Sequence, residues 1–141
     1  TPVFAEEYEP AGYHVYDVQE EEATDTWYGV ARGDYLQAGI AKVKKGTQSG
    51  YARASGSTLA HFACDRLYVR IYLDESANGT DGWGTLNYWT ANAYNKSMVT
   101  VSSGDYKITK GDYYSVKGAH SVFQDDIIET TTTCTDAIPI N

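Results

Sequence analysis

The sequence predicts an all-β protein, an antiparallel β-sandwich of about seven strands. Residues 66–73 alternate strictly between apolar and polar side chains, which is the period of a strand with one buried face. Glycine, aspartate and asparagine cluster between such stretches, where turns are expected. The 13 tyrosines outnumber the 3 phenylalanines, and tyrosine is enriched in strands. No stretch shows the period of an amphipathic helix.

The N-terminal part of the chain predicts a leader and an acidic arm. Val3 and Ala5 stand at the spacing that signal peptidase reads, so residues 1–5 are expected to be a signal-peptide remnant. Residues 1–31 carry eight acidic side chains and no Lys or Arg. We therefore expect an extended acidic arm over residues 6–30 with one short strand at 13–18. Residues 6–12 are expected to make few core contacts unless a partner chain orders them.

The body of the chain, residues 31–141, is expected to be one sandwich domain, because 141 residues suffice for a single core. The predicted strands are 35–43, 51–60, 66–73, 85–93, 97–103, 110–123 and 127–134. In the third of these, the core face is predicted to carry Leu67, Val69, Ile71 and Leu73. Its other face presents Tyr68, Arg70 and Tyr72 and is expected to be more exposed.

A tyrosine in the last hairpin predicts how that strand is fixed. Gly111 and Asp112 form a turn signal, and Tyr113 and Tyr114 follow just inside the next strand. This arrangement resembles the tyrosine corner of immunoglobulin-like and fibronectin type III modules. The resemblance implies that one of the two hydroxyls, we expect that of Tyr114, is directed at the backbone of the preceding connection.

Several segments together resemble a group of small exported β-sandwich proteins of unknown function from clostridia-like Gram-positive bacteria. The segments that carry this resemblance are residues 32–36, 54–58, 64–69, 111–121 and 129–130. The similar region is about residues 30–138, with the acidic arm outside it. The resemblance implies export and the sandwich fold, and it brings no catalytic residues.

Charge and hydropathy limit the partners. The net charge is -8 and resides in residues 1–31, so the chain lacks the basic stripe that nucleic acid requires. No run of about 18 apolar residues is present, so no membrane span is expected. Together with the leader, these features predict a protein that is secreted or held at the cell surface. They do not fix its oligomeric state.

Cys64 and Cys134 allow two interpretations. In an exported protein an even number of cysteines favours a disulfide, which would close a long loop and stabilise the fold by about 4 to 5 kcal/mol. Their expected places, at the start of the third strand and the end of the last, favour two separate thiols instead. The three histidines lie on separate segments and no cofactor motif occurs, so neither a metal site nor a cofactor is predicted.

Aromatic side chains give the main indication of function. The candidate ligand-binding residues are Tyr68, Tyr72, Tyr88, Trp89 and Trp83, on the third strand, the strand that returns beside it, and the turn between them. Rings on a sheet face can stack on sugars or contact an aromatic-rich protein, and they can equally be cross-strand packing. We expect a non-catalytic module that binds carbohydrate or a cell-surface protein. The alternatives are a structural or self-assembling surface protein and, third, an enzyme with a dispersed catalytic set.

Overall fold

The computed structural model describes residues 12–29 and 35–141, which form antiparallel strands and no helix. The strands are β1 (Gly12–Gln19), β2 (Glu22–Gly29), β3 (Leu36–Lys45), β4 (Tyr51–Ser76), β5 (Gly84–Ser102), β6 (Tyr106–Lys107), β7 (Tyr113–Gln124), β8 (Ile127–Cys134) and β9 (Ile138–Pro139). The all-β antiparallel prediction is confirmed. The predicted seven-strand sandwich is replaced by one nine-stranded sheet, curled into a half-barrel. Among the described residues there is no helix long and apolar enough to cross a membrane.

The sheet curls because β4 is a single long strand that bends. The sequence predicted two strands here, ending at residue 60 and restarting at 66, but residues 61–65 contain no glycine or proline to break the chain. The first part of β4 pairs with β3 and the second part with β7, while β5 pairs along both parts. A register shift between Leu59 and Cys64 marks the bend, as expected for a β-bulge. The two predicted strands at 85–93 and 97–103 are likewise one continuous β5.

The two halves of the curled sheet enclose the core. On the β7 half, the predicted face of Leu67, Val69, Ile71 and Leu73 is fully buried, and the alternating Tyr68, Arg70 and Tyr72 are more exposed. Both parts of that prediction are confirmed. The facing half contributes small side chains from β3 and the start of β4. A Cβ at Gly56 would lie 2.5 Å from Cγ2 of Ile71, so the absent side chain is what lets the halves approach.

A buried histidine crosses this core. His120 on β7 is fully buried, and a Cβ at Gly39 or at Gly118 would meet its ring at 2.7 Å. Its Nδ1 lies 3.0 Å from the hydroxyl of Thr58 and its Nε2 lies 2.7 Å from that of Thr133. Burial lowers the pKa of His120 to about 4. The ring is therefore a neutral polar bridge between the two halves at neutral pH.

Side chains, rather than a strand ladder, join β8 to the opposite half. The carboxylate of Glu129 accepts backbone hydrogen bonds from Tyr35 at 2.9 Å and from Leu36 at 2.7 Å. The carboxylate of Asp25 on β2 accepts one from the backbone N–H of Cys134 at 2.9 Å. Charge-assisted hydrogen bonds of this kind are stronger than neutral ones. They hold β8 against β2 and the start of β3.

The tyrosine-corner prediction is confirmed for Tyr114. Its hydroxyl lies 2.7 Å from the carbonyl oxygen of Thr109 and accepts the backbone N–H of the same residue at 3.0 Å. The Glu75 carboxylate lies 2.6 Å away. Burial, reinforced by Glu75, raises the pKa of the Tyr114 hydroxyl. The strand is thus fastened to the connection that precedes it.

The acidic arm is the largest departure from the sequence prediction. Residues 12–29 form the hairpin β1–β2, and β2 pairs with β3 as a regular member of the sheet. Ala23, Asp25 and Trp27 of β2 face inward and are buried, so the predicted sandwich boundary at residue 31 is too late. The signal-peptide remnant at 1–5, the start of the arm at 6–11 and the segment 30–34 lie outside the described residues.

Candidate functional site

Three tyrosines lie together on the outer surface of the β7 half, and we call them the tyrosine face: Tyr68, Tyr72 and Tyr88. Tyr68 and Tyr72 alternate with the buried face of β4, and Tyr88 stands opposite Tyr72 on β5. The rings of Tyr72 and Tyr88 are 6.1 Å apart at 47°, which is within the range of favourable aromatic pairs. Tyr88 is 53% exposed. The structure therefore brings three of the five predicted ligand-binding residues together.

Arginines of β4 interleave with these rings. The guanidinium carbon of Arg70 lies 4.7 Å from the Tyr88 ring centroid and 6.0 Å from that of Tyr68. The guanidinium of Arg66 lies 5.9 Å from Tyr68 and donates from Nε to the side-chain oxygen of Asn92 at 2.8 Å. Cation–π contacts of this kind order both partners. The Nε of Arg70 is buried without a hydrogen-bond partner.

The two predicted tryptophans do not join the tyrosine face. Trp89 follows Tyr88 directly on β5, and successive side chains of a strand point to opposite faces. Trp89 accordingly packs on the core side, where its ring meets Tyr106 edge-on at 5.3 Å. Trp83 lies in the β4–β5 loop, 38% exposed, beyond the last paired residues of that hairpin. The prediction that Trp89 shares a platform with Tyr88 is wrong.

A groove adjoins the tyrosine face, between the β1–β2 hairpin on one side and β7 and β8 on the other. Its volume is about 490 Å³, within the range of small-ligand sites. The lining comprises His14, Tyr16 and Asp25 from the β1–β2 hairpin, and Tyr72, Lys117, Gly118, Ala119, Thr132, Thr133 and Cys134 from the sheet. Tyr72 belongs to both the groove and the tyrosine face, so the two features form one continuous surface.

Two aromatic walls bound this groove. On the β1 side the rings of His14 and Tyr16 are stacked, 5.5 Å apart and 7° from parallel. Tyr72 contributes a ring from the sheet side. Side chains at i and i+2 of a strand share a face, which is why His14 and Tyr16 line the groove while Tyr13 lies on the other side of β1. There its ring packs on Tyr28 at 5.4 Å.

Each basic side chain that lines the groove is paired with a carboxylate. The Nδ1 of His14 lies 2.8 and 3.0 Å from the two carboxylate oxygens of Asp25, and that carboxylate is 1% exposed. The Nζ of Lys117 lies 3.1 Å from the carboxylate of Asp74. Since a carboxylate accepts the Nδ1–H, only Nε2 of His14 can meet a ligand. The groove thus offers directed polar groups with little net charge.

The two cysteines are separate thiols, so the disulfide interpretation is wrong and the alternative holds. Cys64 is buried at the bend of β4, and burial raises its pKa. Cys134 lies on the outer surface of β8 at the edge of the groove, with its Sγ 3.8 Å from the Ser115 hydroxyl and 3.7 Å from the Thr135 carbonyl oxygen. This thiol is turned toward β7 and makes no hydrogen bond with the imidazole of His14.

Sequence reasoning missed His14, Tyr16, Asp25 and Lys117 as site residues. The spacing of His14 and Tyr16 carries the i, i+2 signal of a shared strand face, but the acidic composition around them favoured an unstructured arm. Within residues 12–29 and 35–141, no cluster of three or more His, Cys, Asp or Glu side chains could hold a metal ion.

Comparison with known proteins places the chain in a family. Residues 3–138 match the family of unknown function DUF6147. The chain belongs to DUF6147. The match to DUF6147 begins well before residue 30, so the β1–β2 hairpin is part of the family's domain, contrary to the expected boundary of the resemblance. No curated protein matches the chain.

Proposed function

We propose that the protein is a non-catalytic module that binds carbohydrate on the tyrosine face, outside the cell. The observation that carries this proposal is the gathering of Tyr68, Tyr72 and Tyr88 on one outer surface. The apolar face of a sugar ring stacks on an aromatic ring, and the phenolic hydroxyls can exchange hydrogen bonds with the sugar's own. The expected leader supports the extracellular setting.

The arginines support carbohydrate over a purely apolar ligand. Arg70 stands between the Tyr68 and Tyr88 rings and Arg66 flanks Tyr68, and neither is joined by a salt bridge within the described residues. A hydrogen bond with Tyr72 raises the pKa of Arg70, so its guanidinium stays charged and remains a strong donor. Sugar hydroxyl, carboxylate and sulfate oxygens are all acceptors for such donors. Ring stacking supplies the contact area and the guanidinium groups supply direction.

Titration calorimetry with soluble polysaccharides and cell-wall fragments tests this function. We expect affinities in the millimolar to micromolar range for a single site, lowered at least tenfold in a Tyr68→Ala, Tyr88→Ala double variant because two stacking surfaces are removed. Tyr28→Ala is the matched control, since Tyr28 is exposed on β2, away from this surface. Binding of a surface-protein fraction with no response to any glycan would contradict the carbohydrate assignment.

A second function, self-assembly through β1, is favoured by a different observation. The outer edge of β1 pairs with no strand in the described part of the chain, and all eight residues of β1 are exposed. Four of them are large and apolar, each at least 45% exposed: Tyr13, Val15, Tyr16 and Val18. An open, apolar edge strand is a template for pairing with another chain. A second copy can pair antiparallel to it and extend the sheet.

Sedimentation velocity over a range of concentrations tests self-assembly. The wild type is expected to dimerise, and Val15→Lys is expected to weaken association at least tenfold, because a charge on an edge strand opposes pairing. Val15 is exposed, so the change should leave folding intact. Ile128→Lys, at another exposed apolar position on β8, is the control. A wild type that stays monomeric at all concentrations contradicts this function.

A further inference from the structure

We propose that the groove between β1 and the sheet is the subsite for one uncharged sugar ring of the bound carbohydrate. This inference rests on the proposed carbohydrate function and extends it from the tyrosine face to a specific pocket. Tyr72 connects the two, because its ring lies in the tyrosine face and also lines the groove. A sugar chain bound across Tyr88 and Tyr72 would lead into the groove.

The groove presents aromatic side chains on two sides. The stacked His14 and Tyr16 rings stand on the β1 side and Tyr72 on the sheet side. Contact with aromatic surface on both sides would bury both faces of a sugar ring, whereas the open tyrosine face can bury only one. Loss of water from both apolar faces makes this the position of strongest contact.

The charge balance of the groove indicates an uncharged ring. Lys117 is held 3.1 Å from Asp74, and His14 is held 2.8 Å from Asp25. An incoming carboxylate would meet these two existing carboxylates, and it would lose its hydration without an unpaired cation in return. A hydroxyl both donates and accepts, so it can bond to such ion pairs without disturbing them.

The buried carboxylate of Asp25 gives the site a fixed orientation. It is 1% exposed, and it receives hydrogen bonds from His14 and from the backbone of Cys134. His14 is therefore anchored to β2 and β8 rather than free to rotate. Fixed polar groups lose less conformational entropy on binding than mobile ones. Asp25 acts as a positioning residue for the imidazole that meets the sugar.

Imidazole NMR provides a direct test, since the chain contains only three histidines. The probes are cellohexaose and mannohexaose as uncharged chains and a galacturonic acid hexamer as the acidic one. We expect an uncharged hexamer to shift the His14 ring signals at saturation. The signals of exposed His61, which lies outside the groove, should stay in place. Tyr16→Ala should weaken binding at least tenfold and Tyr13→Ala less than twofold.

The outcomes separate this inference from the function on which it rests. One outcome is that an uncharged hexamer binds the wild type, does not bind the Tyr68→Ala, Tyr88→Ala variant and leaves the His14 ring signals unshifted. That outcome supports binding at the tyrosine face and overturns the groove subsite. A His14 response to the acidic hexamer alone overturns the assignment to an uncharged ring. No binding of either uncharged hexamer overturns the groove subsite, whereas the carbohydrate function is overturned only when no glycan binds in the calorimetry.

Discussion

Replacing Ile71 with alanine is expected to lower the free energy of unfolding by about 2 to 5 kcal/mol. Ile71 is fully buried on β4, and its Cγ2 occupies the space that the missing side chain of Gly56 leaves. The backbone on both sides is held in the sheet, since β4 is paired along both of its edges here. The cavity therefore cannot collapse, which places the cost toward the upper part of that range.

Urea unfolding followed by far-ultraviolet circular dichroism measures this change. Thr90→Ala is the matched control, because Thr90 pairs with Arg70 on the exposed surface of β5. Surface substitutions away from special features usually change stability by no more than about 0.5 kcal/mol. An Ile71→Ala variant as stable as the control would mean that this face of β4 is not the core.

Acidification from pH 7 to pH 4 is expected to remove about 3 kcal/mol of stability through His120 alone. Burial lowers the folded-state pKa of His120 from 6.5 to about 4. Between these values the unfolded chain binds a proton that the folded chain does not. Stability therefore falls as the pH falls through this window, and the contribution is fully present above about pH 6.5.

Comparison with His120→Gln isolates this contribution, since glutamine keeps one donor and one acceptor for Thr58 and Thr133. The unfolding free energy of the variant should depend less on pH between 7 and 4, by about 3 kcal/mol. His61→Gln, at an exposed position, should retain the wild-type slope. Should the His120 variant fail to fold, an NMR titration of the wild-type His120 ring gives the answer, and a midpoint near 6.5 would contradict the expectation.

The sequence predicted the strands whose faces differ clearly in polarity. The second part of β4 alternates from Leu67 to Leu73, and β8 was predicted with the bounds that the structure shows, Ile127–Cys134. The Tyr114 corner was also predictable, because a turn signal and a tyrosine in register are both local features. Local patterns were sufficient for most of the body of the sheet.

The β1–β2 hairpin was not predictable from the same signals. Its core-facing positions hold Asp25 between Ala23 and Trp27, and a buried aspartate conceals the alternation that marks a strand. The aspartate is tolerated there because His14 and the backbone of Cys134 bond to it. Cys134 is 109 positions away in sequence. The groove depends on that distant contact, which is why none of its β1 residues was foreseen.

The sequence also failed to show that β4 is one continuous strand, because its continuity depends on pairing with strands that are distant in sequence. A strand that passes from one half of the sheet to the other looks like two strands when its inward face changes at a bulge, as it does between Leu59 and Cys64. Nothing in residues 61–65 shows that β4 pairs with β5 both before and after the bend. The continuity of β4 is visible only from its pairing with β5.

The passage of β4 through both halves of the half-barrel makes the domain one cooperative unit. Its first part supports β3 and its second part supports β7, so neither half can lose its central strand while the other keeps it. Subdomains that unfold separately need a boundary where few contacts cross, and here the boundary is the backbone of a single strand. The two halves therefore share a single melting transition, and partial unfolding is confined to the margins of the sheet.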